Sequence, residues 1–398
     1  MSSIALQGLL LLCLWILAYH HLVYPVLVNR LAERRRKTVR QSPPATVPDE
    51  HLPHFTVIVP AYNEEAYIAD KIRNLAALDY PRERLKIVVA LDGSRDRTRP
   101  AAEAAIASYG EGTHIELRAF PRNRGKVAVL NQCIAEAADS ELIALTDASA
   151  LMAANALRRA ASQLAAPDVG VVFGTYRLRD AGSEGERVYT IYQTQLRYDE
   201  ATLDSPMGGH GALYFIRRRL WRAMPPDTIN DDFILPMSIV ATGARAIYDR
   251  SIVAEELERT QATQEFHRRV RIGAGNLQQA LRLWKLADLR RPWLAFTFLS
   301  GKGSRPFMPF IAILAIIATA SLAAQGSRLY ALMLMLELAT LALAAAVIAF
   351  RSPATPRVLA WLGYLVEGHF ASMMGAIQVL LGLRLKHWQP EHSDAPTH

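Results

Sequence analysis

The sequence predicts an α/β protein in which a mostly parallel β-sheet is covered by helices on both faces and flanked by membrane-spanning helices. Short β-rich runs alternate with helical runs between residues 55 and 149. One long apolar run occupies residues 4–28, and further apolar runs follow residue 305. Near-continuous apolar strands that alternate with helices are typical of parallel sheets, and about 20 apolar residues suffice to cross a bilayer.

The apolar run of residues 4–28 predicts an N-terminal transmembrane anchor. A cleaved signal peptide is the main alternative, but it would carry positive charge before the run and a small-residue cleavage site after it. Here the positive charge follows, in NRLAERRRK (residues 29–37). By the positive-inside tendency, the segment after the anchor is expected in the cytoplasm.

The C-terminal part of the chain predicts further membrane helices. Residues 307–323 and 329–350 are apolar stretches long enough to span a bilayer. A third stretch, residues 358–383, holds Glu367 and His369 near its middle. Because ionisable side chains are costly in lipid, two alternatives stay open. Either this stretch crosses the membrane, or it does not cross cleanly.

Charge and cysteine content limit the classes of partner. The net charge of +8 comes partly from arginines beside the apolar runs, which fits attraction to anionic lipid head groups. No nucleic-acid motif or aromatic-interleaved basic patch is present, so no nucleic-acid partner is expected. Cys13 lies in the first apolar run and Cys133 in a predicted soluble helix. The two cannot pair, so no disulfide or metal framework is implied.

Four strands are predicted in the first half of the soluble region, with helical runs between them. They are FTVIVPAYN (55–63), LKIVVALDGS (85–94), HIELRAF (114–120) and LIALTDAS (142–149). In sheets of this kind, ligands bind beyond the carboxyl ends of the strands.

Acidic or amide side chains follow three of these strands: Asn63 with Glu64, then Asp92, then Asp147. An aspartate after one strand is ordinarily a cap or turn residue, but three such ends at one edge predict a binding site. Carboxylates on strand ends suit Mg²⁺, which takes its other ligands from water and substrate phosphates. No GxxxxGK[ST] loop is present, and no GxGxxG follows the first strand, so P-loop and dinucleotide sites are not expected.

Two later stretches carry further candidates. MGGHGALYFIRRRLW (207–221) places three glycines before a strand, which lets a ligand approach the backbone; an ordinary loop before an edge strand is the alternative. In TINDDFILP, Asn230 or Asp231 can cap the following helix, so helix capping does not explain the presence of Asp232. Asp232 is therefore the candidate general base.

The stretch EFHRRVRIGAGNLQQAL sets Arg268 and Arg271 three residues apart, on one face if it is helical. Paired guanidinium groups suit a pyrophosphate, because they meet its oxygens bidentately. A basic helix lying on the membrane surface is the alternative interpretation.

As an ordered set, these motifs resemble those of a membrane-embedded family 2 glycosyltransferase of the hyaluronan- and cellulose-synthase-like, exopolysaccharide kind. VIVPAYNEE matches that family's opening strand, TDAS resembles its D-x-D element, and NDD resembles its T-E-D element. RRVRI resembles the Q/R-x-x-R-W element, and LSGKGSRPFMP resembles the linker before the trailing helices. The resemblance implies a GT-A-like fold, with a mostly parallel sheet, a Rossmann-like nucleotide-binding half and flanking transmembrane α-helices.

The same resemblance assigns roles to residues of this chain. Asp232 is implied as the catalytic base, Asp92 as the acid that contacts the nucleotide base, and Mg²⁺ or Mn²⁺ as the cofactor. The implied metal residues are Asp147 and Ser149. The implied acceptor residues are Gly209, His210, Gly211 and Asp231. The implied nucleotide-sugar-binding residues are Pro60, Tyr62, Glu64, Asp92, Lys126, Asp147, Arg268 and Arg271.

Two positions depart from the family pattern. Ser149 stands where many relatives have a second aspartate, so one metal ligand is weaker or is replaced by water. Ile272 stands where the tryptophan would be. In processive synthases that tryptophan packs near the terminal acceptor sugar, so its absence favours the transfer of single sugars.

The resemblance implies inverting transfer of a sugar from a nucleotide-diphosphate donor, expected to be a UDP-sugar, to a glycan acceptor in exopolysaccharide or cell-surface glycan synthesis. Expected partners are the donor, the acceptor, membrane lipids, and export or accessory proteins. One alternative is single-sugar transfer to a polyprenyl-phosphate or lipid-linked acceptor. A sugar-1-phosphate nucleotidyltransferase is a distant alternative, since PAYNEEA is acidic where that class has a basic, glycine-rich loop. A non-catalytic membrane scaffold is the remaining alternative.

The predicted protein is an integral membrane protein of the bacterial inner or plasma membrane, with its catalytic domain in the cytoplasm. Its predicted segments are a transmembrane anchor (1–28), a basic, proline-containing linker (29–54), a GT-A-like catalytic domain (55–260), an arginine-rich interfacial helical region (261–304), C-terminal transmembrane helices (305–385) and a polar tail (386–398).

Overall fold

The structure, a computed structural model, describes residues 2–38, 47–109, 114–180, 184–258, 262–350 and 355–383. The predicted polar tail therefore lies outside the described residues. The chain forms two compact units, which are described separately. The helical unit lies within Met1–Leu31, Ser183–Tyr189 and Gln261–Leu385, and the sheet unit within Ala32–Gly182 and Thr190–Thr260.

Eight strands form one sheet in the sheet unit, in the order β3-β2-β1-β4-β7-β6-β8-β5. Strands β1 to β4 run parallel to one another, as do β6 and β8, whereas β7 is antiparallel to β4 and β6, and β5 is antiparallel to β8. The α/β class is as predicted. The bounds are β1 Phe55–Ala61, β2 Leu85–Asp92, β3 Ile115–Phe120, β4 Leu142–Thr146, β5 Ala150–Met152, β6 Val169–Leu178, β7 Leu213–Arg217 and β8 Arg245–Glu256.

The helices cover the sheet and build the helical unit. Their bounds are α1 Ser3–Ala18, α2 Tyr24–Thr38, α3 Ile68–Ala76, α4 Thr98–Ala107, α5 Lys126–Glu136, α6 Ala156–Leu164, α7 Glu184–Leu203, α8 Asp231–Val240, α9 Ala262–Arg282, α10 Pro292–Thr297, α11 Met308–Ala324, α12 Arg328–Ala349 and α13 Arg357–Leu380.

Strand β1 lies inside the sheet, and all seven of its residues are buried, because neighbouring strands and helices cover it on every side. Its register pairs Ala61 with Leu91 of β2, and Phe55 with Leu142 of β4. The carboxyl ends of β1, β2 and β4 therefore open on one edge of the sheet. This register places the acidic strand ends together.

Strand β1 stops at Ala61, before the predicted end at Asn63. Strand β4 ends at Thr146, and Asp147, Ala148 and Ser149 follow it outside the strand. Asn63 has a φ of 55°, a left-handed conformation that takes the chain out of the extended direction. The polar residues that follow β1 and β4 therefore lie at the carboxyl edge of the sheet.

In the helical unit, α1 and α2 form one continuous helical run through a π-helical turn at Tyr19–Val23. The basic stretch that was predicted as the start of the linker is therefore helical as far as Thr38. Of the described helices, three are long and apolar enough to cross a membrane: Ser3–Thr38, Pro292–Ala324 and Arg328–Ala349. Helix α13, which contains the third predicted apolar stretch, is not among them.

The ionisable groups of α13 have partners within the helical unit. Glu367 Oε2 lies 3.1 Å from Nη1 of Arg269 on α9, and Nε2 of His369 lies 3.2 Å from Nε2 of His21. Arg269 also lies over the ring of Tyr364, at 3.7 Å from its centroid. These contacts offset part of the penalty for placing ionisable groups among apolar helices.

Small residues let α13 approach α9 closely. A Cβ atom added to Gly375 would lie 2.1 Å from the carbonyl oxygen of Val270 and 2.4 Å from the amide nitrogen of Ala274. A Cβ added to Gly273 would lie 2.5 Å from Cα of Ser372. The two backbones are therefore in direct contact, as is common where small residues line helix interfaces in membranes.

We expect Gly375→Ala to destabilise the helical unit by about 1–3 kcal/mol, because the added methyl group forces α9 and α13 apart. Thermal unfolding in detergent micelles measures the change. Gly8→Ala is the matched control, since nothing lies within 4 Å of a Cβ at that position in α1. Equal unfolding temperatures for the two variants would contradict the close packing.

Candidate active site

Asp147 lies in the tight turn that joins β4 to β5. Its amide donates to the carbonyl of Ala212 (3.3 Å), and its own carbonyl accepts from the amide of Ala150 (3.3 Å). The side chain is about one-third exposed, and its Oδ1 accepts a hydrogen bond from Nζ of Lys126 at 2.8 Å. The acid is therefore fixed by backbone bonds on both sides while its carboxylate stays accessible.

Lys126, the first residue of α5, connects two acids. Besides Asp147, its ammonium lies 3.5 Å from Oδ2 of Asp231. Burial disfavours the charged ammonium, but Asp147 and Asp231 outweigh that effect and raise the pKa of Lys126. The lysine therefore stays charged and offsets the negative charge at this edge.

Asp232 comes close to Asp147 beside Gly211. A Cβ added to Gly211 would lie 3.3 Å from Oδ2 of Asp232 and 3.5 Å from Oδ2 of Asp147. The missing side chain therefore lets two carboxylates that are 85 residues apart in the chain approach the same point of the backbone. Of the three glycines in the predicted loop, Gly211 is the one that lies against these two carboxylates.

Asp231 and Asp232 form the first turn of α8, where the helix dipole favours negative charge. Asn230 occupies the N-cap position, but its side chain makes no capping hydrogen bond. Burial, and then the charges of Asp232 and Asp147, raise the pKa of Asp231 against the opposing effect of Lys126. Its buried Oδ2 has no hydrogen-bond partner within the described part of the chain.

A second group of carboxylates, which sequence analysis only partly found, lies beside Asp147. Glu256 ends β8 directly opposite Ala150 of β5, and its pKa is raised mainly by burial and also by Asp147. The pKa of Glu64 is raised to about 9 by burial and by the nearby charges of Glu258, Asp147 and Glu256. Only the acidic stretch EELE (255–258) at the end of β8 could have pointed to Glu256 and Glu258, and no spacing rule connects it to Asp147.

Ser149, the predicted second metal residue, is buried, and its hydroxyl is hydrogen-bonded to Glu256. Its carbonyl accepts from the amide of Leu257 at 2.9 Å. The serine thus ties the turn after β4 to the end of β8.

Asp92, the predicted contact of the nucleotide base, is fully buried and accepts two backbone hydrogen bonds. Its oxygens bind the amides of Arg124 (2.9 Å) and Gly125 (2.8 Å). The next residue, Gly93, has a φ of 69°, and a Cβ there would lie 2.5 Å from backbone atoms of Arg122 and Asn123. In this structure Asp92 fixes the loop that leads to Lys126.

The other predicted donor residues of the first strand lie at the same edge. Pro60 is in β1, and Tyr62 is buried just beyond it. The amide of Glu64 donates to Oγ1 of Thr98 at 2.7 Å, which fixes the chain after β1.

The remaining acceptor residues pack against β6. A Cβ added to Gly209 would lie 2.0 Å from Cδ1 of Phe173, so no larger residue fits there. The ring of His210 stacks on Tyr176, with centroids 3.5 Å apart and an interplanar angle of 11°. His210 is thus held by a ring contact rather than being free in solvent.

Arg268 and Arg271 lie on α9 in the helical unit, so the predicted helical arrangement is present. Ile272 follows them and is 38% exposed. The structure brings together the predicted residues of the sheet unit, whereas these two arginines belong to the other unit.

The carboxylates fit a hard divalent cation. Oδ2 of Asp147 and Oδ2 of Asp232 both lie within 3.5 Å of the position of a Cβ at Gly211, and Mg²⁺ or Mn²⁺ needs few protein ligands when substrate phosphates supply the rest. Among the described residues, no group of three histidine, cysteine, aspartate or glutamate side chains has the geometry of a complete metal site. A cation there would therefore depend on the bound substrate for part of its coordination.

A solved structure of similar fold is that of the mannosyltransferase PcManGT from Pyrobaculum calidifontis in complex with GDP-Man and Mn²⁺. It is 25% identical, has a TM-score of 0.70, and the match covers 94% of this chain and 99% of that chain. The likeness confirms the predicted GT-A-like fold. Residues 56–257, about half of the chain, match the description "Glycosyl transferase family 2". The chain belongs to this family.

Curated relatives are similar over part of their length. Beta-monoglucosyldiacylglycerol synthase of Trichormus variabilis is 28% identical over 272 residues, which cover 62% of this chain and 55% of the relative. An N-acetylglucosaminyltransferase of Rhizobium leguminosarum bv. viciae is 24% identical over 241 residues, 55% of each chain. The chain spans about half the length of these relatives.

We expect Lys126→Met to destabilise the protein more at pH 8 than at pH 5. Without the ammonium, the pKa of Asp231 in the folded protein rises further above its value in the unfolded chain. The folded protein therefore loses stability as the pH rises through that folded-state pKa. The loss at pH 8 is expected to be about 1–3 kcal/mol, from the uncompensated buried carboxylate. Chemical unfolding at both pH values measures it.

Lys86→Met is the control for this experiment. Lys86 forms an exposed ion pair with Glu116 (3.0 Å), and such pairs contribute about 0–1 kcal/mol. A pH-independent loss in Lys126→Met, equal to that of the control, would show that Lys126 does not offset these acids.

Proposed function

We propose that this protein is an inverting glycosyltransferase that moves a sugar from a nucleotide-diphosphate donor to an acceptor at the membrane. The observation that carries the proposal is the convergence of Asp147, Asp232 and Lys126 at the carboxyl edge of the sheet, where both aspartates lie against Gly211. Membership of the family supports it.

The donor is proposed to bind through its diphosphate. A divalent cation, Mg²⁺ or Mn²⁺, would be held by Asp147 and would offset the charge that develops on the leaving nucleotide. The solved relative PcManGT is described with GDP-Man and Mn²⁺, which supports a donor and a cation of these classes. A UDP-sugar is the first donor to test. Lys126 holds Asp147 in position and adds positive charge beside the leaving group.

Asp232 is the proposed catalytic base. It accepts the proton of the acceptor hydroxyl as that oxygen attacks the anomeric carbon, on the side opposite the departing diphosphate. Its carboxylate lies against Gly211 and stands in the first turn of α8, where the helix dipole favours negative charge. Arg268 and Arg271 are proposed to stabilise the diphosphate, as the family's motif implies.

Two classes of acceptor remain, a growing glycan and a lipid-linked or polyprenyl-phosphate acceptor. Ile272, which stands in place of the motif's tryptophan and is partly exposed, favours single-sugar transfer to a lipid acceptor. The relative named beta-monoglucosyldiacylglycerol synthase supports the same choice.

We propose that the protein is integral to the membrane, with the catalytic domain of residues 55–260 in the cytoplasm. Three helices long and apolar enough to span support this placement. Arg34, Arg35 and Arg36 follow the first apolar run, and such clusters are retained on the cytoplasmic side.

We expect Asp232→Asn to lower transfer by at least about a thousandfold, since the amide cannot accept the proton, while donor binding stays within about threefold of wild type. Radiometric transfer and calorimetric titration of UDP with Mn²⁺ measure the two quantities. Asp139→Asn, an exposed acid before β4, is the control and should leave both unchanged. Near-normal turnover in Asp232→Asn would show that Asp232 is not the catalytic base.

The donor and product are tested with membranes that contain the protein, Mg²⁺ or Mn²⁺, and a panel of labelled nucleotide sugars. We expect an Asp232-dependent product that carries one added sugar and partitions with lipid, because Ile272 lacks the ring on which a growing chain would pack. A long polymer would instead establish a processive synthase. No transfer from any donor would argue against the proposed function.

A further inference from the structure

We propose that Lys71 is a positioning residue that holds the Asp147–Ser149 turn in the geometry needed for transfer. This inference rests on the proposed function, because it concerns the same carboxylate edge. Lys71 is not exposed at this edge itself, since its side chain is fully buried. Its role would be exerted through the backbone and side chains that it contacts.

Lys71 occupies a core position of an amphipathic helix. In α3 it shares one buried face with Ile68, Ile72 and Leu75, at the helical spacing where an apolar residue is expected. A buried ammonium costs free energy unless it is hydrogen-bonded, and apolar residues of similar volume often serve stability equally well. The lysine is therefore not explained by packing alone.

The ammonium of Lys71 binds both ends of the turn. Its Nζ donates to Oγ1 of Thr146 at 2.7 Å and to the carbonyl oxygen of Ala150. Thr146 is the last residue of β4 and Ala150 is the first of β5. One side chain thus bridges the two strands on either side of Asp147, Ala148 and Ser149.

A chain of hydrogen bonds extends from Lys71 to the backbone of Ala212 and Asp147. Oγ1 of Thr146 accepts from Lys71 and donates to the carbonyl of Ala212 at 2.7 Å. The same carbonyl accepts from the amide of Asp147 at 3.3 Å. Ala212 follows Gly211, which lies against Asp232. Lys71 therefore fixes the spacing between the proposed cation residue and the loop beside the proposed base.

The charges near Lys71 also support its role in positioning the turn. Burial lowers the pKa of Lys71 to about 7, and Asp147 and Glu256 act in the opposite direction to retain its charge. Glu256 pairs across the strands with Ala150, whose carbonyl Lys71 binds. Lys71 and Lys126 therefore share one acid, Asp147, whose charge acts on both of them.

The test compares Lys71→Met, which keeps volume but removes both hydrogen bonds and the charge, with Lys71→Gln, which keeps a neutral donor. Lys86→Met, an exposed lysine in β2, is the control. We expect Lys71→Met to lower kcat by about 10- to 100-fold, as for residues that orient metal ligands, with donor KM within about threefold. Lys71→Gln should recover several-fold of the loss, and Lys86→Met should match wild type.

Hydrogen exchange followed by mass spectrometry tests the turn without requiring activity. We expect amides of residues 146–152 to exchange at least about fivefold faster in Lys71→Met, with β2 amides unchanged. Wild-type kcat in Lys71→Met would overturn the inference, as would unchanged exchange in the turn or faster exchange throughout the sheet. If wild type transferred no sugar, the proposed function would fail, whereas the exchange result would still decide whether Lys71 orders the turn.

Discussion

The carboxyl edge of the sheet depends on one electrostatic constraint, the repulsion among acids that the fold brings together. Asp147, Asp231 and Asp232 converge there, and like charges at such distances raise the free energy of the folded chain. Lys126 offsets them, with its Nζ 2.8 Å from Asp147 and 3.5 Å from Asp231. A site that holds this much negative charge is suited to receive a cation and a phosphate group together.

In the helical unit, buried ionisable groups are stabilised by different partners. There, ionisable groups sit among apolar helices, and Glu367 has Arg269 as its partner while His369 has His21. Close backbone contact at Gly375 lets α13 reach α9. In both units, a basic side chain lies beside a buried acid, Lys126 beside Asp231 and Arg269 beside Glu367, because an unpaired buried charge is costly.

Much of the fold could be predicted because its signals are local. Alternating apolar runs predicted the strands and helices from residue 55 to residue 149, and the structure has each of them. The convergence of Asp147 with Asp232 could be expected only from an ordered set of motifs, and the structure shows it through Gly211. Glu256 could not be predicted, because its pairing opposite Ala150 depends on a sheet register that no local pattern encodes.

The sequence by itself determined which segments between residues 55 and 149 are strands, which apolar runs are long enough to span a membrane, and which acids follow strand ends, since these depend on residue type and spacing. Tertiary structure decided what those residues contact. It placed Lys71, an ordinary helix residue by pattern, under the turn at Asp147, and it tied Ser149 to Glu256. The physical reason is that side-chain partners across a sheet are set by strand order and register, which are properties of the folded chain.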